Sequence, residues 1–259
     1  MKVSQRSTGH HIELLHGGAA FFPALLEAID ASLREVRLET YIFHFDATGE
    51  KVATALEQAA ARGVAVFLML DGIGTPAVPD VWVHRFAKAG VQWHRFSPLG
   101  RWGLLMSAGW RRLHRKLCVV DAQVAFCGGI NILDDYVDPT YGALESPRYD
   151  FAVRIKGPLV ADVREAMVQF WRRLRITRQL ENLKFRQARQ TWKDARVPVD
   201  TVAPSVQNSP GVSPFTTTAA LVLRDNVRNR NRIERAYRKA IAEAREEVII
   251  ANAYFLPGG

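Results

Sequence analysis

His114 and Lys116 stand two residues apart, Asp121 follows, and Gly128, Gly129 and Asn131 complete the stretch. An imidazole, an ammonium, a carboxylate, two glycines and a carboxamide so close together suit attack on a phosphodiester. That attack needs a nucleophile for phosphorus, positive groups or donors on the non-bridging oxygens, and an acid for the leaving alcohol. Imidazole as nucleophile would form a phosphoryl-histidine and divide one hard displacement into two easier ones. Lys116 and Asn131 would stabilise charge on five-coordinate phosphorus, while Gly128-Gly129 would let a phosphate oxygen approach the backbone. This chemistry requires no metal and no cofactor. By chance, six such identities at fixed spacing arise on the order of 10⁻⁶ times in a chain of this length. A buried hairpin with an accidental polar face is therefore the poorer account.

The spacing places His114 and Lys116 on one face of a strand, with Leu117 and Val119 opposite, Asp121 at a turn, and residues 124–127 as the partner strand. Upstream, Phe22, Leu25, Leu26, Ile29 and Leu33 recur at helical spacing and lead into a strand over 36–45. Thr48 and Gly49 open a second helix, closed by Arg62-Gly63 before the apolar strand 64–70. A helix around Trp82, Phe86 and Ala89, then Gly90 and a strand over 91–96, extend the alternation. A strand over 149–156 and a helix begun by Gly157-Pro158 follow the hairpin. Alternating strands and helices predict an α/β fold with a mixed, largely parallel sheet flanked by helices.

Composition limits the partners. The chain has 259 residues, 48% of them hydrophobic, and a formal charge of +9. It can bury a sizeable core, and the excess of Lys and Arg points to an anionic partner. No apolar run reaches the ~18 residues of a bilayer span and residues 1–18 lack a secretory apolar core. The expectation is therefore a protein of the cytosol or of the cytoplasmic face of the membrane, bound peripherally. Cys118 and Cys127 lie on the paired strands of the hairpin and read as small hydrophobes rather than a disulfide. His10, His11, His16, His44, His84 and His94 show no metal-ligand spacing.

Residues 164–196 carry ten Lys or Arg against three acids, and residues 197–218 are rich in Pro, Ser and Thr. Beyond them a strand over 220–224, a helix with Ile233, Ala236, Tyr237, Ala240, Ile241 and Ala244 on one face, and an apolar run over 248–255 resemble the start of the chain. At an offset of 212, Ala28, Ile29, Glu35, Val36 and Phe43 align with Ala240, Ile241, Glu247, Val248 and Phe255. A full copy would place its own counterpart of His114 at roughly position 326. The expected organisation is thus a first domain over 1–196, a linker over 197–218, and the opening of a second copy over 219–259.

The pattern His114-x-Lys116-x₄-Asp121-x₆-Gly128-Gly129-x-Asn131 resembles the signature of the phospholipase D superfamily. The flanking segments 38–43, 70–72, 150–158 and 251–255 are similar to those of bacterial cardiolipin synthases, most closely the B type. The resemblance implies transfer of a phosphatidyl group from one phospholipid, typically phosphatidylglycerol, to a headgroup hydroxyl of another through a phosphatidyl-histidine. It implies His114 as nucleophile, Lys116 and Asn131 on the phosphate, and Asp121 as a catalytic-motif residue that orients or balances the others. Members of this size class carry two such signatures facing one site, of which this sequence has the first.

Glu39 and Tyr41 share a face near a strand's C-terminal end, where open parallel sheets place ligands, and are expected to line the pocket. Trp102 to Trp110 and the basic segment after Trp171 suit contact with an anionic membrane surface, against a bland reading as packed loop and solvated helix. Two other functions stay open: a nuclease or phosphodiesterase in which two single-signature chains dimerise around one site, and a non-catalytic fragment that binds anionic lipid. The duplicated start argues against the nuclease, which makes nucleic acid the disfavoured partner and leaves a homodimer open.

Overall fold

The computed structural model describes residues 6–96, 113–139, 141–181, 217–223 and 231–250. The expected lipid-touching loop from Trp102 to Trp110, the basic residues 182–196 and residues 197–216 of the linker expected over 197–218 lie outside these; Thr217 and Thr218 belong to a strand.

The first unit, Met1–Ala220, is built on one eight-stranded sheet. Its strands are β1 (Ser7–His16), β2 (Glu35–Thr40), β3 (Ala65–Asp71), β4 (Gln92–Phe96), β5 (Leu117–Val120), β6 (Val124–Gly128), β9 (Phe151–Lys156) and β10 (Thr217–Ala219), in the order β10-β1-β9-β6-β5-β2-β3-β4. A separate two-stranded ribbon, β7 (Val137–Asp138) with β8 (Gly142–Ala143), interrupts the acidic loop. The α/β class and the mixed, helix-flanked sheet are as expected. Apart from one isolated parallel bridge between Phe43 and Ile132, parallel pairing, expected to dominate, is confined among the strand pairs of the sheet to β2–β3 and β3–β4. Those are the two places where a helix carries the chain back to an adjacent strand; β5–β6 is a hairpin, and the remaining pairs are antiparallel.

Helices α1 (Gly17–Asp30), α2 (Ala47–Ala61) and α3 (Asp80–Ala89) cover one face, and α4 (Leu159–Glu181) lies against the other. The α2 start is fixed by Asp46, whose side chain accepts hydrogen bonds from Thr48 and Gly49 N–H. The α3 end is fixed by Gly90, whose φ of +86° belongs to the left-handed region. Leu25, Ile29, Val52 and Leu56 pack on Val36, Leu38, Val66, Leu68, Cys118 and Val120 in the main core. Leu33, read as part of the α1 stripe, is instead exposed beyond the helix end. A second cluster of Met69, Leu113 and Trp171, with Phe67, Phe96, Phe170 and Leu174, joins the other face to α4.

Between that face and α4 lies a charged layer. Arg37 and Arg164 hydrogen-bond Glu35; burial alone would raise the Glu35 carboxyl, but the two guanidiniums outweigh it and hold it below its usual value. Both cysteines are free, and burial pushes the Cys118 thiol up to about 12, consistent with an inert core residue.

Strand β1 was not legible beforehand, because its burial does not alternate: His10 and Leu15 are buried while Leu14 is exposed. The strand expected over 220–224 is instead Thr217–Ala219, where the antiparallel edge of β1 supplies its partners. The second unit, Leu221–Gly259, contains helix α5 (Arg232–Glu243), none of whose residues is buried. Residues 244–250 form no strand, and the rest of the run over 248–255 lies outside the described residues.

Candidate functional site

His114, Arg115 and Lys116 lie immediately before β5, where the chain enters the sheet between β2 and β6. The extended backbone alternates its side chains: His114 and Lys116 project together, and Arg115 turns to the α4 side. Lys116 Nζ is 3.1 Å from His114 Nε2 and 3.4 Å from Nδ1. The Tyr41 ring flanks both, with its centroid 5.0 Å from that of the imidazole and 5.4 Å from the ammonium. His114 is exposed and Lys116 half-buried. Burial drives the Lys116 ammonium down to about 8, against the pull of the Asp150 and Asp71 carboxylates.

The segment after β6 runs beside the residues that follow β2. Strand β2 ends at Thr40, earlier than expected, because residues 41–43 leave it to run beside 130–132. Asn131 Oδ1 accepts a hydrogen bond from Ile42 N–H, Ile132 N–H donates to Ile42 O, and His44 N–H donates to Ile132 O. With its oxygen committed to Ile42, Asn131 has its Nδ2 amide as the donor for a ligand.

Three expected site residues are placed elsewhere. Asp121 sits at the far end of β5, in a hairpin turn with φ of +51°. Its carboxylate accepts hydrogen bonds of 2.8 Å from Leu33, Arg34 and Glu35 N–H. It belongs to the framework, tying the α1–β2 connection to the hairpin. Gly128 and Gly129 do not present bare backbone to a phosphate: their N–H groups donate to Lys116 O and Phe151 O. A Cβ on Gly128 would strike Phe151 O and Ala152, and one on Gly129 would strike the Asp150 carboxylate. Their lack of side chains admits β9.

Glu39 and Tyr41 part company as well. Tyr41 stands at the imidazole, whereas Glu39 is buried on the α4 side with Arg115, 3.1 Å from Oε2 to Nε. That pair is out of line for a hydrogen bond, and neither atom has a hydrogen-bond partner. Burial raises the Glu39 carboxyl to about 7, with Arg115 and Arg37 opposing.

Sequence reasoning missed Asp71 and Asp150. Asp71 lies at the C-terminal end of parallel β3, a location that itself marks ligand sites in such sheets, but Asp71-Gly72 reads as a strand-ending turn. Asp150 immediately precedes β9, and only the pairing of β9 with β6 brings it to Gly129. Among the described residues no cluster of three or more His, Cys, Asp or Glu could hold a metal.

The structure brings together an exposed imidazole, a cation and the Tyr41 ring, and fixes Asn131 by its oxygen to the residues that follow Tyr41. A family model described as "Cardiolipin synthase, PLD-like domain" matches residues 25–172. The chain is 39% identical over 259 residues to cardiolipin synthase B of Salmonella typhimurium strain LT2, covering all of this chain and 56% of the relative. It is 37% identical over 258 residues to cardiolipin synthase B of Escherichia coli strain K12, with the same coverage. The chain thus spans a little over half the length of these curated relatives. Among solved structures, Nuc of Salmonella typhimurium, a phospholipase D family member, aligns at 18% identity with a TM-score of 0.45, over 62% of this chain and 94% of that one.

Proposed function

Because the chain belongs to the cardiolipin synthase, phospholipase D-like domain family, we propose that it carries the nucleophilic half of a phosphatidyltransferase making cardiolipin. A neutral His114 nitrogen attacks phosphorus of phosphatidylglycerol, the bond from phosphorus to the glycerol headgroup breaks, and the departing alkoxide takes a proton. The headgroup hydroxyl of a second phospholipid then attacks the phosphatidyl-histidine, the phosphorus–nitrogen bond breaks, and the hydroxyl proton leaves. Lys116 turns from the imidazole to the non-bridging oxygens, joined by Asn131 Nδ2.

The observation that carries this reading is the shared projection of His114 and Lys116, 3.1 Å apart, at the open end of the sheet. The proton donor for the leaving group belongs to a second signature. Supporting a second copy of the fold over 219–259, after a first domain over 1–196 and a linker over 197–218, the exposed α5 residues Ile233, Tyr237 and Ile241 stand 212 positions after Phe21, Leu25 and Ile29, the buried face of α1. A face that is core in the first copy and exposed in the second calls for a sheet of its own. This duplication favours one chain with two signatures over a nuclease dimer of single-signature chains.

Substrate and product are both membrane lipids, and no helix among the described residues is long and apolar enough to cross a membrane. Peripheral docking at the cytoplasmic face, through the basic segment of the sequence after Trp171, completes the proposal. The test incubates protein expressed from its complete reading frame with labelled phosphatidylglycerol and, separately, with DNA. Cardiolipin formed by wild type and lost in His114→Ala supports the reading; nicked DNA with untouched lipid overturns it.

A further inference from the structure

Asp71 is fully buried, and among the described residues its carboxylate is held by backbone amides. Oδ1 accepts from Ile73 N–H at 2.8 Å and from Gly74 N–H at 3.0 Å, closing the turn that ends β3. Oδ2 has a different target: Leu113 N–H, 42 residues away and immediately before His114. An asparagine oxygen could close the turn equally well. Only the second oxygen explains a carboxylate here, because it gives the buried Leu113 N–H a charge-assisted acceptor.

The same turn controls the other side of the imidazole. Thr75 N–H donates to Asp71 O, Thr75 Oγ1 donates to Tyr41 O at 3.2 Å, and Phe43 N–H donates to Thr75 Oγ1 at 2.8 Å. Gly74 lies so close beneath Tyr41 O that a Cβ there would overlap it. The Tyr41 ring in turn stands against His114. We propose that Asp71 is a positioning residue for the His114–Lys116 pair: its buried carboxylate anchors the backbone before His114 while its turn fixes the Tyr41 wall beside the imidazole. The proposal rests on His114 being the nucleophile. A displacement at phosphorus is sensitive to such placement, since a misplacement of about 1 Å costs ~10²-fold in rate. The Asp71 charge also opposes the burial that lowers Lys116, alongside that of Asp150.

The discriminating variant is Asp71→Asn, which keeps an acceptor for the turn but loses the charge and sets an amide against Leu113 N–H. The protein, labelled at histidine ring nitrogens and lysine Cε, is titrated by NMR without lipid, with resonances assigned through His114→Gln and Lys116→Arg. In folded Asp71→Asn the Lys116 midpoint should fall by about half a unit or more, and the His114–Tyr41 ring cross-peaks should be lost. Transfer activity should show kcat down at least ~10-fold with KM for lipid little changed. A folded variant with the wild-type Lys116 midpoint and wild-type ring contacts overturns the proposal. Should Asp71→Asn not fold, an amide-to-ester replacement at Leu113 removes the single N–H and leaves Asp71 intact: shifted His114 ring resonances support the anchor, and unchanged ones overturn it. The spectra require no turnover, so they decide on Asp71 even where His114→Ala retains lipid transfer and the functional reading itself fails.

Discussion

Lys116 Nζ lies 3.1 Å from His114 Nε2, with the Tyr41 ring beside both. An ammonium 3.1 and 3.4 Å from the two ring nitrogens opposes a second positive charge on the imidazole, which favours the neutral ring that a nucleophile must be. Under the proposed mechanism the same closeness gives Lys116 two tasks in sequence: holding the imidazole before substrate arrives, then neutralising phosphate.

Burial brings Lys116 down to about 8, and this sets an alkaline limit. Above that pH the amine is neutral and its attraction for phosphate is lost, so kcat/KM for lipid should fall with an apparent pKa near 8, since kcat/KM reports free-enzyme groups. Lys116→Arg stays charged, and its limb should move upward even though its absolute rate is lower. Stability has its own sign. The folded state releases the proton before the unfolded chain, whose lysine has its value at 10.5, so Lys116 contributes increasing stability as pH rises from about 8 to 10.5. A pH–rate profile whose alkaline limb is the same in Lys116→Arg would refute the assignment.

Asn131→Asp separates ligand binding from folding. An aspartate oxygen can still accept from Ile42 N–H, as Asn131 Oδ1 does at 3.0 Å, so the melting temperature should stay close to wild type. The donor is lost, however, and a negative charge replaces it beside the phosphate. Removing one preorganised donor costs ~10²- to 10³-fold in kcat, and Asn131→Asp should lose at least that much. A variant within a few-fold of wild type would remove Asn131 from the site.

Asp121→Ala should act on stability. It strips the acceptor from three backbone N–H groups and puts alanine at a φ of +51°, where a side chain with a Cβ is strained unless, like Asp or Asn, it can bond locally. About 2 to 3 kcal/mol of loss is expected, read by urea unfolding, with kcat per folded molecule within a few-fold of wild type. A fully stable but inactive Asp121→Ala would return the residue to the chemistry.

The difference between Asp121 and His114 shows what the sequence made legible. Spacing two apart was enough to put His114 and Lys116 on one face, because that period belongs to any extended backbone. The helices over α1 to α3 and the strands between them were equally readable, since stops such as Gly63 and Gly90 are local. What spacing could not reveal was direction across the sheet. Asp121 shares the motif, yet β5 carries it to the opposite end; Glu39 and Tyr41 share a parity, but the chain leaves β2 between them, at Thr40. Nor could it reveal partners fixed by strand order. The closeness of Gly129 and Asp150 depends on β9 returning antiparallel to β6, and the Asp71–Leu113 bond crosses 42 residues.

Glu39 offers a pH test of the buried layer behind the site. Burial raises its carboxyl from 4.5 to about 7, although Arg115 and Arg37 are near, because its Oε2 is paired by charge without a hydrogen bond. The folded state therefore holds this proton more tightly than the unfolded chain does. Its contribution to stability is fully present below about 4.5 and is lost as pH rises to about 7. Glu39→Gln, which does not titrate, should flatten that part of the profile. Its melting temperature should lie near wild type at pH 5, where wild type has its protonated carboxyl, and above wild type beyond pH 7, where wild type carries a buried carboxylate. Urea unfolding at pH 5, 6, 7 and 8 measures the slope, and equal slopes in wild type and Glu39→Gln would show that Glu39 is already ionised throughout, held by Arg115 more firmly than its geometry implies.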